Sequence, residues 1–204
     1  MKPSVPRIVA AALCLASSAL AQAPNQPGHE SPRPGTNTEA VSATEDAVAG
    51  LVGRVSAEMT STIQGFVTAA ATSDMYEVAA GKLAMERARS AEVKAFARQM
   101  VEAHTATTKK LQGLLAGGQV KAKPPAALDN RRQGMLDNLK GASAADFDHR
   151  YIVQQIAAHR EAQALFEGYA KDGDNAALKD FAATTAPTIR MHLSMAENLS
   201  RSVK

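Results

Sequence analysis

The sequence predicts an all-α fold: an antiparallel four-helix bundle with an extra short helix between its two hairpins. Three observations lead there. Alanine is abundant and β-branched runs are missing, so strand signals are nearly absent. Apolar residues recur at steps of three and four along four long stretches, the period of a helix with one buried face. Two of the links between those stretches are tight, which makes the helices they join antiparallel neighbours.

Residues 1–21 read as a signal peptide. MKPSVPR carries Lys2 and Arg7 without an acid, Ile8 to Leu20 is apolar, and Ala19-Leu20-Ala21 offers small residues for cleavage after Ala21. The run falls short of the roughly 20 apolar residues a membrane-spanning helix needs, so the expected location is periplasmic or otherwise exported. The only cysteine, Cys14, lies in this leader, with Leu13 where a lipoprotein signal wants a small residue. The mature chain is therefore expected to lack disulfides and thiolate ligands. Losing Lys2 and Arg7 from the 23 bases leaves 21 against 20 acids. That near-neutral balance gives no reason to invoke nucleic acid, and with no tryptophan and few other aromatics a stacking platform for bases is unsupported.

Residues 22–57 form a linker and a weak leading helix. APNQPGHESPRPGTNT is too rich in proline, glycine and polar residues to bury a core, and His29 within it is a solvated side chain. A helix over about 39–56 is interrupted by Gly50 and Gly53. Residues 58–203 make the bundle. Its first long helix spans about 58–89. The second starts after Ser90 as N-cap and ends near Gly117-Gly118. A short helix covers about 126–138. Ser143-Ala-Ala-Asp146 is a capping box that opens a helix to about Lys171. Asp172-Gly173-Asp174 stops it, and a last helix, expected to kink at Pro187, reaches about Ser200.

Each long helix places one residue with metal-ligand chemistry on its apolar stripe. Glu77 stands among Phe66, Ala70, Ser73, Ala80 and Ala84. His104 stands among Val93, Phe96, Met100, Thr107 and Leu111, His159 among Ile152, Ile156, Ala162 and Phe166, and His192 among Leu178, Phe181, Ile189 and Ala196. Buried polar groups are costly unless paired or ligated. Three imidazoles and a carboxylate can fill most of the first shell of a divalent ion such as Fe, Mn or Zn, and bundles build metal sites from such inward ligands. The same four residues could instead form a buried hydrogen-bond network without a metal. Counting along the hairpins at about 1.5 Å per residue makes Glu77 and His104 level, but sets His192 roughly 7 Å from the level of His159 if the second hairpin turns at Gly173.

The phrases FVTAAATSDMYEVAAGKLA, VKAFARQMVEAH, FDHRYIVQQIAAHREAQALFEGYA and LKDFAATTAPTIRMHL resemble the domain-of-unknown-function family 4142 over about residues 64–199. Glu77, His104, the Phe147-Asp148 and Tyr151 group, His159 and His192 carry the likeness. The resemblance implies a ferritin-like fold and export, and supplies no activity. A di-iron centre needs Glu-x-x-His on two helices, whereas Val101, Ile156 and Ile189 precede the three stripe histidines by three. Asp146-Phe147-Asp148-His149 is the nearest approach, and Asp146 is already assigned to the cap.

Neither a nucleophile elbow nor a glycine-rich loop after a strand is present, so hydrolase and nucleotide-binding classes lack support. The scattered methionines are core filler. Lys109-Lys110 and Arg131-Arg132 read as solvated faces. Three classes remain. One is an exported bundle with a structural or stress-related envelope role and an envelope protein partner. The second is a metal-binding bundle using Glu77, His104, His159 and His192 for sequestration or oxidant protection. The third is a metal-dependent redox enzyme, which also needs an open coordination position and a solvent path.

Overall fold

The computed structural model describes residues 39–203, and the expected leader and proline-rich linker lie outside them. All regular structure among the described residues is helical: α1 (Glu39–Glu58), α2 (Ile63–Arg87), α3 (Ala91–Ala116), α4 (Asn130–Gly141), α5 (Phe147–Asp172) and α6 (Ala176–Leu199). None of these helices is long and apolar enough to cross a membrane.

Local chemistry sets the boundaries. Thr62, Ser90, Asp129 and Asn175 cap α2, α3, α4 and α6, each side chain accepting a free amide of the first turn. Ser143 Oγ accepts from the Asp146 amide but donates to the Asp146 carboxylate, which therefore does not reach back to the Ser143 amide, so the expected capping box is only half formed. The residues between form a separate turn, so α5 proper begins at Phe147. α6 runs unbroken through Pro187.

Helices α2 and α3 pack as an antiparallel pair, as do α5 and α6. Helix α2 also lies antiparallel to α5, since Phe66 stacks on Tyr169 and Tyr76 donates to Gln154. Across the diagonal α3 and α5 run the same way, with Phe96 against Tyr151 and His104 against His159. The segment from α3 to α5 must therefore travel back along the bundle, and it carries α4 against α1, α2 and α5. Lys123 in this segment exchanges backbone hydrogen bonds with the Gln64 amide.

The core divides into two apolar clusters. One contains Tyr76, Phe96, Met100, Met135, Phe147, Tyr151 and Ile152, and the other Phe66, Leu111, Phe166, Tyr169, Leu178 and Phe181. Between them, at mid-height on all four long helices, lies a buried polar layer.

Two expectations need correction. Helix α1 is a full 20-residue helix packed along α5 rather than a weak lead-in. Its buried face carries Ser42, Asp46, Gly53 and Ala57, while Val41, Val48, Leu51, Val52 and Val55 point outward. The glycines that looked like interruptions are contact points. A Cβ on Gly50 would lie 2.9 Å from that of Ala157, and one on Gly53 2.0 Å from Glu161 Oε2. Asp46 accepts from Asn138 and Gln154 and lies 3.5 Å from Arg150, which reads as the hydrogen-bonded centre of this junction. Nor are Arg131 and Arg132 a solvated face. Both pair with Glu161, at 2.7 and 3.0 Å, and Arg132 is buried with its guanidinium over the Tyr76 ring.

Candidate metal centre

His104, His159 and His192 converge. Each offers a ring nitrogen, and these atoms all lie within 4.8 Å of one another. Ring centroids are 5.5 to 5.9 Å apart. A tetrahedral ion with bonds of about 2.0–2.1 Å holds its ligands roughly 3.4 Å apart, so a modest contraction would seat one. His192 therefore meets His159 despite the height mismatch expected along the hairpin. The turn occupies residues 173–175 and α6 begins at Ala176. Its midpoint is Asp174 rather than Gly173, which leaves a mismatch of roughly 4–5 Å, within the reach of two leaning side chains.

Two of the rings are oriented by partners on their other nitrogen. His104 Nδ1 lies 2.8 Å from Asp74 Oδ1, and the second Asp74 oxygen accepts from Thr108. His159 Nδ1 donates to the Gln155 carbonyl one turn back, at 2.9 Å. Both arrangements leave Nε2 as the free nitrogen, the way outer carboxylates and carbonyls orient metal-binding histidines. Among the described residues, His104 Nε2, His159 Nε2 and His192 Nδ1 are buried without a hydrogen-bond partner.

Glu77 stands beside the triad rather than in it. Its Oε1 is 3.8 Å from His159 Nδ1, and neither carboxylate oxygen has a hydrogen-bond partner. Gln155 is close enough to favour the ionised carboxylate without a well-aligned hydrogen bond. The carboxylate that holds His104 is Asp74, one turn earlier on α2, and not the level residue Glu77. An acid three residues from Glu77 on a largely buried helix was the available signal for it.

Burial dominates the electrostatics. It raises Glu77, against the opposing charges of His104, Arg132 and His192. It raises Asp74 too, against the hydrogen bond from His104. Burial pushes His159 down to about 3, helped by the charge of His104, and His192 down to about 4, helped by both other histidines. For His104 burial also acts downward, but the hydrogen bond to Asp74 and the charges of Glu77 and Asp74 outweigh it and raise the group. Two of the three imidazoles are thus held neutral, the form that binds a metal.

A cavity of about 180 Å³ reaches the triad from the surface between α3 and α6. It touches His104 and His192 but neither His159 nor Glu77.

The model of the family described as domain of unknown function (DUF4142) matches residues 53–199. The chain belongs to this family. The matched span includes the whole polar layer and excludes most of α1. No curated protein and no solved structure matches the chain. Family membership brings no activity with it, so the chemistry rests on the site.

Proposed function

We propose that this chain is a metal-binding helical bundle of ferritin-like arrangement, acting in an exported compartment, in which His104, His159 and His192 hold one divalent ion. One observation carries the reading. Ring nitrogens of three histidines lie within 4.8 Å of one another, and among the described residues His104 Nε2, His159 Nε2, His192 Nδ1 and both oxygens of the adjacent Glu77 are buried without a hydrogen-bond partner. Nearly all buried polar atoms in folded proteins are satisfied, and an orphaned set calls for a ligand. A purely structural network would pair these atoms with each other. Imidazole donors suit Zn and Fe, and a nearby carboxylate extends the range to Mn. Asp74 and the Gln155 carbonyl would keep two rings in register, and Glu77 would offset the ion's charge in a region of low dielectric. The ion would supply a Lewis-acidic or redox centre, suited to sequestration or protection from oxidants.

The test is elemental analysis of protein recovered from the exported fraction without a histidine tag, beside a His104→Ala/His159→Ala variant. About one equivalent of Zn, Fe or Mn in the wild type and none in the variant is the expected result. No metal, together with no thermal shift on adding these ions, would overturn the proposal.

A structural or stress-related envelope role is the second reading, favoured by the outward apolar row on α1. It predicts that a Val48→Lys/Val52→Lys variant fails to complement a deletion strain under envelope stress while keeping its metal content.

A further inference from the structure

The cavity between α3 and α6 has donors as well as access. Lys110 stands exposed on its lining, and Ser73 and Thr188 add hydroxyls. Among the described residues, none of these three side chains makes a hydrogen bond or ion pair. By contrast, the Asp74 carboxylate, which also lines the cavity, has both oxygens engaged by His104 and Thr108. The hydroxyls of Thr107, Thr184 and Thr185 are likewise spent on carbonyls of their own helices. Apart from the histidine nitrogens assigned to the ion, the free polar groups are therefore one cation and two hydroxyls able to donate, and the cavity leads to two of the three histidines.

We propose that a small anion of no more than about six heavy atoms enters this cavity and coordinates the ion held by the triad; the inference rests on the metal-binding reading above. Size sets the upper limit. At about 180 Å³ the space equals roughly six waters at about 30 Å³ each, too little for a nucleotide or a sugar. Charge sets the sign. The ion and Lys110 both attract an anion, and Ser73 and Thr188 can donate to it. Position supplies the open face. Glu77 and His159 do not line the cavity, so an ion bound to the triad is approached there past His104 and His192 only. Zinc-type centres with three protein ligands keep a fourth position for an exogenous ligand in this way.

Cobalt(II) and azide make the test. The purified protein is loaded with Co²⁺, whose visible d–d bands report its ligands, and titrated with azide. The wild type should give a saturable change in the bands. Lys110→Glu should weaken azide at least about fivefold with Co²⁺ affinity unchanged. Thr188 is exposed at the cavity, so Thr188→Trp should fold, bind Co²⁺ with the same starting spectrum, and lose the azide response. Bands that form in the wild type but ignore azide would overturn this inference and leave the metal site standing. An azide response of equal strength in all three proteins would overturn the cavity as the route. Failure of the wild type to bind Co²⁺ would overturn both readings together.

Discussion

Burying a neutral histidine makes the metal-free protein sensitive to acid, and His159 allows the size to be worked out. In the unfolded chain an imidazole protonates near 6.5, whereas burial holds folded His159 to about 3. Between those values the unfolded state binds the extra proton, so stability falls as pH falls. From about pH 7.5 to about pH 5, roughly 1.5 units of that window are crossed. At 1.36 kcal/mol per unit the loss is about 2 kcal/mol. Groups with raised values pull the other way: Glu77, Asp74, Asp46 and His104 take up protons in the folded state first and gain stability as pH drops. The whole pH curve is therefore a mixture, and the His159 contribution is isolated by difference. Urea unfolding with a chelator present, at both pH values, should show the wild type losing about 2 kcal/mol relative to His159→Gln. A relative change below about 0.5 kcal/mol would refute the picture of a neutral imidazole shut away from water.

Three further outcomes are expected. Asp74→Asn removes the charge behind His104 and should weaken metal binding about 10- to 100-fold, read by competition with a chelating dye. Gly53→Ala drives a Cβ to 2.0 Å from Glu161 Oε2. It should cost about 1–3 kcal/mol despite the better helix propensity of alanine, with hydrogen exchange quickening first in α1. Asp148 accepts from the amides of Arg89 and Ser90 at 2.7 to 3.1 Å, bracing the α2–α3 corner against the start of α5. Asp148→Ala should cost about 1–2 kcal/mol in chemical denaturation, since those amides lose their acceptor.

Local pattern carried much of this protein. The stripes through Phe66, Phe96, Ile152 and Phe181 define four faces, and the inward residues Glu77, His104, His159 and His192 are legible because a seven-residue step nearly closes on a helix. Ser90 announces the start of α3 because caps act over three residues, whereas Ser143 lies in the turn before α5, which begins at Phe147. Helix α1 was harder to read because its polarity is inverted: it docks through Asp46 and two glycines, and the partners that make those residues suitable, Asn138, Gln154 and Glu161, lie some 90 to 110 residues away. Arg132 looked solvated for the same reason, as its burial depends on Glu161 and Tyr76 from two other helices.

The sequence by itself determined which residues form helices and which side of each long helix faces inward, because those follow from propensity and period along a single chain. Only the tertiary structure decided which inward groups meet. Asp74 rather than Glu77 holds His104, and His192 closes on His159. Such choices depend on axial register and on how side chains lean, and these are set by packing among helices that no local pattern encodes.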